Sequence, residues 1–531
     1  MSRREIEMEN MSRRHVLGAA GAGTGLAMLA AATPAFASSA SPVQSDLFPS
    51  QADMWADVEF MNSFGTRYPG SEELRKFCKF LDDRFAAAGL TVDRLERTDA
   101  VLWQSVECSI TTRSGTAISV SSPNRESAST GPNGVTAPLK YCGLAKGTVF
   151  GALRQSSQVL PITIPSDIAG KIALIEVEVE PLHFSEMYKS GIAAIVDPTH
   201  AGGLPAVQPS ATAWNNAEKK LPPTLEDDLK KAGAVGVIYA WVNGADADGA
   251  GQIRRNGTAA LPSAWVSVSG AKALRALEAS GEPIIFKNLA KVTPNVRTAT
   301  TIATLPGSTD ETIILWTNTD GMNAIQENGS IAIINLMKYF ARLPRSSRRR
   351  TISCVMSEGH LQLNHTQDVW WAKQRPDILE KAVASLAMEH LGCREWVGDP
   401  VANSYEPSGK PDITWAFTLS DKDRPNQMAA IMKEALKGSR LARTVVTDNS
   451  PFSFSPGLHP YAIAKVPGIG YITTAPYFLA EDPKGRGHID KLSPDLYHDQ
   501  VLTLARAIHL LDACPRHLLK SDHGVAGPHG F

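Results

Sequence analysis

The sequence predicts an α/β fold in which a central sheet is flanked by helices, and three observations predict it. Apolar runs at Thr312–Trp316, Thr351–Met356 and Ala382–Met388 read as strands buried on both faces, because such strands lose the apolar/polar alternation of a half-exposed strand. A helical pattern through Ile331, Ile334, Leu336 and Phe340 separates the first two runs. Each run ends in polar or titratable residues: Asn318 and Asp320, then Ser357, Glu358 and His360, then Glu389 and His390. Ligands of open α/β sheets gather beyond the carboxyl ends of such strands, so a site is expected there.

From the N-terminus, Ser12-Arg13-Arg14-His15-Val16-Leu17 precedes a Gly/Ala-rich apolar run to Ala32 and an Ala35-Phe36-Ala37 cleavage signal. This segment, 1–37, resembles a twin-arginine signal peptide, which implies export to the periplasm or the extracellular space. The competing reading, a transmembrane anchor, is opposed by the many small residues and by Pro34, so no stable membrane span is expected after cleavage. Ser38–Pro49 reads as a polar tail. Beyond it, Leu74, Phe77, Cys78, Leu81 and Phe85 fall at helical spacing, with Ser71 as N-cap and Gly89 closing the helix before a strand at Thr91–Leu95. Residues 38–136 are expected to start the main domain.

The texture changes over 137–289, where short β-rich runs such as Lys171–Val177 and Gly236–Trp241 alternate with Gly, Pro and Asn turns. Asp167-Ile168-Ala169-Gly170-Lys171 with the following IALIEV, and Ala232-Gly233-Ala234-Val235-Gly236-Val237-Ile238, resemble a protease-associated domain; an unrelated β-rich insertion is the alternative. Neither reading gives this stretch an obvious catalytic group.

The main domain resumes over 290–516. Asn318 and Asp320, two apart at the end of an extended run, are expected to share a side of the chain. With Glu327-Asn328-Gly329-Ser330 they make the segment similar to the co-catalytic zinc exopeptidase family that includes bacterial leucyl aminopeptidases, glutamate carboxypeptidase and transferrin receptor. That family reads strand, H-x-D, then D-N-x-S-G opening a helix. The resemblance therefore puts Asn318 at a metal-binding His, Asp320 at its Asp and Glu327 at the bridging carboxylate. It extends to the lead-in Gly65-Thr66-Arg67-Tyr68-Pro69-Gly70-Ser71, similar to the family's G-x-R-x-x-G-S, and implies a mixed central sheet with the β-rich domain inserted before the H-x-D strand.

Downstream, Ser357-Glu358 stands at the family's E-E pair. In this register, chosen because Leu361 matches the Leu of G-L-x-G-S, Ser357 replaces the general base and Glu358 keeps the zinc carboxylate; a register one residue later makes Glu358 the base. Glu389 stands at an Asp ligand. Thr447-Asp448-Asn449-Ser450-Pro451-Phe452 is similar to S-D-H-x-P-F, with Asn449 replacing the His. His488 and Asp490, ahead of a helical run from Leu496 to Leu511, best match the closing zinc His. His459, His390 and Asp448 are weaker candidates, and His390 qualifies only if its strand has already ended.

A two-zinc hydrolase needs imidazole and carboxylate ligands, a bridging carboxylate and an open position for water. Asn is a poor zinc ligand, and Ser cannot take a proton from metal-bound water. The expected metal set is Asp320, Glu327, Glu358, Glu389 and His488, holding zinc or another divalent ion, with His360 as replacement ligand or base and Ser357 at the catalytic position. Two functions follow: a metal-dependent peptidase or amidase acting on a small peptide or amide substrate, or a catalytically inactive relative kept for binding.

The whole chain is 531 residues, 43% hydrophobic, with a formal net charge of −1. This allows two to four domains and gives no electrostatic bias toward nucleic acid. Arg345–Arg350, the one basic cluster, reads as a solvated loop rather than a nucleic-acid patch. Six scattered cysteines form no C-x-x-C or dense framework, and Cys354 reads as a buried thiol. G-x-S-x-G, H-E-x-x-H and phosphate-loop motifs are absent. Residues 517–531 read as a tail.

Overall fold

The computed structural model describes residues 40–145, 162–178, 182–183, 191–201, 207–208, 224–251, 260–359, 361, 367–421, 424–449, 459–473, 475, 477–478, 480–482 and 484–520. The signal-like segment 1–37 and His360 lie outside them. The strands that matter are β1 (Thr91–Thr112), β2 (Ala117–Ile118), β3 (Val120–Pro123), β4 (Leu139–Ala145), β5 (Ile172–Val177), β6 (Ile192–Val196), β7 (Gly236–Trp241), β8 (Ser263–Val266), β9 (Ile284–Leu305), β10 (Thr312–Asn318), β11 (Thr351–Ser357), β12 (Ala382–Glu389), β13 (Arg394–Asp399), β14 (Ser404–Pro411), β15 (Thr414–Leu419), β16 (Thr444–Thr447) and β17 (Gly468–Thr473). The main helices are α1 (Gln51–Ser63), α2 (Glu72–Ala87), α3 (Val268–Ser280), α4 (Gly329–Arg342), α5 (Gln427–Leu436) and α6 (Pro494–Ala513).

The central sheet is eleven-stranded and mixed, running β2-β1-β9-β11-β10-β12-β17-β15-β16-β6 with one short strand off this path. Its middle, β11-β10-β12-β17, is parallel, and β10 and β12 are buried at every residue. Helices α1, α2, α4, α5 and α6 cover one face. The other is covered by Trp371, Ala372, Ile378 and Leu379 from two short helices. Ser71 caps α2 by accepting from Leu74 N, and all five expected apolar positions of that helix are buried.

A second, five-stranded sheet, β3-β8-β7-β5-β4, lies between β1 and β9 in the chain. It draws in Val120–Pro123, ahead of the expected boundary at 137, while β6, from within the expected insertion, pairs with β16 at the edge of the central sheet. β1 runs 22 residues rather than ending at Leu95, because it forms a long antiparallel ribbon with β9, bulged at three places.

The basic cluster is a solvated loop only in part: Arg345 and Arg349 are exposed, whereas Arg350 is not. Arg350 is buried, pairs with Glu311 at 3.0 Å and donates to the carbonyls of Leu511 and Asp512. Arg345 donates to Gly307 O and Arg348 to Phe340 O. Nor is the whole of Ser38–Pro49 a free tail, since Phe48 is buried against Tyr339. At the other end His517 belongs to a short helix, Arg516–Leu519, whose Leu519 is buried. All six cysteines are free thiols, and burial raises the Cys354 thiol. Among the described residues no helix is long and apolar enough to cross a membrane.

Candidate metal centre

Strand parity decides which side chains meet at the carboxyl edge of the sheet. In β10, Ile313 and Leu315 pack on the face of α2 and α4, whereas Ile314 and Trp316 pack on the opposite face. Alternation puts Asn318 with Ile314 and Trp316. In β11, Val355 shares that face, so Ser357 follows it, and Ser357 is the register partner of Asn318. Cys354 and Met356 face the other way, and Glu358 goes with them. Its carboxyl accepts from Cys78 Sγ of α2 at 3.4 Å and lies 3.9 Å from Arg94. Burial pushes Glu358 up to about 8, against the pull of the Arg94 charge.

The strand β12 ends at Glu389, and His390 turns into the left-handed region with φ 53°. The condition for His390 to join a site is therefore met. Its Nδ1 donates to Thr473 O at 2.9 Å, at the end of β17, and its Nε2 lies 3.5 Å from Glu327 Oε1. Glu327, also left-handed at φ 67°, ends the loop after β10. Glu327, Glu389 and His390 are all buried, and each offers a ligand atom within 4.8 Å of the others.

These residues fit one divalent cation. The His390 Nε2 atom is buried and has no hydrogen-bond partner, while the other ring nitrogen is held by a backbone carbonyl, the usual support of a metal-binding imidazole. Two carboxylates complete a donor set suited to zinc or its neighbours. Asn318 Nδ2 is 3.5 Å from Glu389 Oε1, and Asn318 Oδ1 and Ser357 Oγ are buried without partners beside them.

Two positioning residues lie in segments that carry the resemblance but are not among the expected site residues. Asn328 donates to Leu391 O and accepts from Leu391 N, both at 2.8 Å, clamping the Glu327 turn to the His390 turn. Arg67 is fully buried, and its guanidinium donates to the carbonyls of Gly65, Thr319, Asn323 and Gln326, bracing the loop that presents Glu327. Arg67 could have been singled out from the G-x-R-x-x-G-S lead-in; the role of Asn328 depends on a contact 63 residues away.

Of the five expected metal ligands, Glu327 and Glu389 come together and three do not. Both Asp320 oxygens accept backbone N–H groups, from Gly359 and Leu361 at 2.8 Å each, so this carboxylate ties the loop after β11. Glu358 is turned toward Cys78. His488 sits in a separate group with Asp482 and Asp490, and burial pushes its imidazolium down to about 4. Of the weaker candidates, His390 completes the group. His459 opens a short helix with its ring 6.0 Å from that of Trp316, and Asp448 is exposed and accepts from Asn426 at 2.9 Å.

No family model matches the sequence, and no curated protein matches it. Solved structures do resemble it. A zinc aminopeptidase from Bacillus subtilis superposes with a TM-score of 0.54 at 13% identity, covering 87% of this chain and 95% of that one. A peptidase M28 precursor from Shewanella amazonensis SB2B gives 0.55 at 16%, covering 91% and 95%. An aminopeptidase from Aneurinibacillus sp. strain AM-1 gives 0.52 at 15%, covering 86% and 93%. At these identities the likeness establishes architecture, and it agrees with the mixed sheet and its parallel centre: this chain has a co-catalytic zinc exopeptidase-like fold.

Proposed function

We propose that the protein is an exported metal-dependent hydrolase of peptide or amide bonds, working with one divalent cation rather than two. The observation that carries this reading is the buried trio Glu327, Glu389 and His390, with His390 oriented by the Thr473 carbonyl. When bound, the cation supplies Lewis-acid polarisation of a carbonyl oxygen and a more acidic water. Glu327 and Glu389 balance its charge, and His390 donates the Nε2 lone pair. Asn318 and Ser357, side by side next to Glu389, offer an amide oxygen to accept from a substrate N–H and a hydroxyl to donate to a carbonyl. His360, two residues beyond Glu358, is the candidate base. Export rests on the twin-arginine-like segment of the sequence.

A second reading, a peptidase fold kept for binding, draws on one observation, that Glu358 faces Cys78 and Arg94, together with the register of the resemblance that sets Ser357 at the base position. Metal content of the exported form, compared with Glu327→Ala, Glu389→Ala and His390→Ala, tests the site. Turnover of aminoacyl and N-acyl peptides then separates the two readings. Bound metal lost in all three variants, together with turnover, supports the hydrolase. Bound metal without turnover supports the binding protein, and absence of metal after incubation with zinc overturns the metal site itself.

A further inference from the structure

We propose that Asp482, His488 and Asp490 form a second cation site, separate from the first and built for a divalent transition metal. The three residues each offer a ligand atom within 4.8 Å of the others, and no residue is shared with the Glu327 group. His488 is 8% exposed, and its Nε2 is buried without a hydrogen-bond partner. The same is true of Asp490 Oδ1. Like His390, His488 thus presents a buried, unpartnered ring nitrogen beside carboxylates.

The other contacts of the cluster leave His488 Nε2 and Asp490 Oδ1 open, while both Asp482 oxygens already accept backbone N–H groups and would reach a cation only through a remaining lone pair. Asp482 accepts from the backbone N–H of Lys484 at 2.9 Å, Arg486 at 3.2 Å and His488 at 3.4 Å. The half-exposed Arg486 side chain lies 3.7 Å from Asp482 and donates to Asp490 Oδ2 at 3.3 Å, engaging the oxygen opposite to the unpartnered one. Lys491 does not neutralise the cluster alone, because its ammonium is held over the rings of Trp396, Tyr405 and Tyr477. One imidazole with two carboxylates selects zinc, manganese or cobalt over calcium, which prefers an all-oxygen shell. The site would fix the loop whose Gly487 carbonyl accepts from Ala324 N at 2.9 Å, three residues before Glu327. A cation there braces the wall of the first centre.

The test is a metal titration of the chelator-stripped exported chain with Co²⁺ and Zn²⁺, read by metal analysis and by the Co²⁺ absorption bands. About two equivalents are expected in the parent, and about one in each of His488→Ala, Asp490→Asn and Glu389→Gln. Retention of the parent stoichiometry by both His488→Ala and Asp490→Asn overturns the proposal. Loss of the single equivalent in Glu389→Gln alone would leave the first centre standing and overturn this one; loss in His488→Ala alone would do the reverse. Asp490→Asn is nearly isosteric, and an unchanged melting temperature of its metal-free form separates lost binding from lost folding.

Discussion

Replacing Glu358 by Gln should flatten the dependence of stability on pH. The Glu358 carboxyl is buried beside Cys78 and Arg94, and its value rises from an ordinary 4.5 to about 8. A folded state that holds its proton more tightly than the unfolded chain has its full stabilisation below pH 4.5 and loses it as pH rises through about 8. Each unit of that interval is worth about 1.4 kcal/mol, so the whole interval amounts to at most about 5 kcal/mol. Gln mimics the protonated acid and keeps an oxygen for the Cys78 thiol. Near about pH 5 the variant should match the parent to within about 1 kcal/mol. Near about pH 8.5 it should be more stable by several kcal/mol, on the order of the interval just worked. Glu226 and Asp412, each raised to about 7 by burial, are common to both proteins and cancel in the difference. Urea denaturation of both proteins across this range is the assay. Parallel pH curves would show that Glu358 is not a buried, uncharged acid, and loss of bound metal in the variant would show that strand parity has been misread and Glu358 is a ligand.

Two other substitutions probe the scaffold of the site. Asp320→Ala removes both carboxylate oxygens from the Gly359 and Leu361 amides, and a cost of about 3 kcal/mol is expected, with new protease cleavage near residue 360 as the readout. Unaltered stability would mean the carboxylate is held by something other than that loop. Gly329→Ala drives a Cβ to 1.8 Å from Met388 O and 2.9 Å from Thr317 Oγ1, where the first turn of α4 wedges between the ends of β10 and β12. It should lower stability by about 3 kcal/mol or more and, by shifting the residue before Glu389, release the metal; a variant with parent-like melting temperature and metal content contradicts that packing.

The sequence exposes the skeleton of the sheet because its parallel strands are continuous apolar runs, and their ends fall within a residue or two of the positions read from it. Features set by distant partners are another matter. β1 continues past Leu95 through charged and polar residues because it pairs along β9, a contact no local pattern encodes. Arg350 reads as surface until Glu311 and the end of α6 arrive beside it. Within the site, alternation along Thr351–Ser357 already separates Ser357 from Glu358, so the turn of Glu358 away from Ser357 is legible from parity alone. The recruitment of His390 was not, since it depends on a left-handed residue after Glu389 and on the Thr473 carbonyl of a strand 83 residues on.

Asn318 offers a direct way to ask whether the trio is a metal centre with a missing donor. Its amide nitrogen lies 3.5 Å from Glu389 Oε1, and its Oδ1 is buried without a partner, so the side chain already points at the carboxylates. Asn318→His replaces a weak neutral oxygen by an imidazole in the same direction, from a strand whose backbone is fixed by pairing on both sides. If Glu327, Glu389 and His390 hold one ion, a fourth protein donor should tighten it by at least about tenfold and fill a position otherwise open to water. The Co²⁺ absorption should strengthen toward a tetrahedral signature while catalytic turnover falls, because the exchangeable site is lost. The extra ring must fit beside Ser357, and Ser357→Gly in the same chain relieves that crowding without touching a ligand. Unchanged affinity in both the single and the double variant would mean that Asn318 does not face a bound ion, and the trio would then be a buried acid–imidazole cluster holding two turns together.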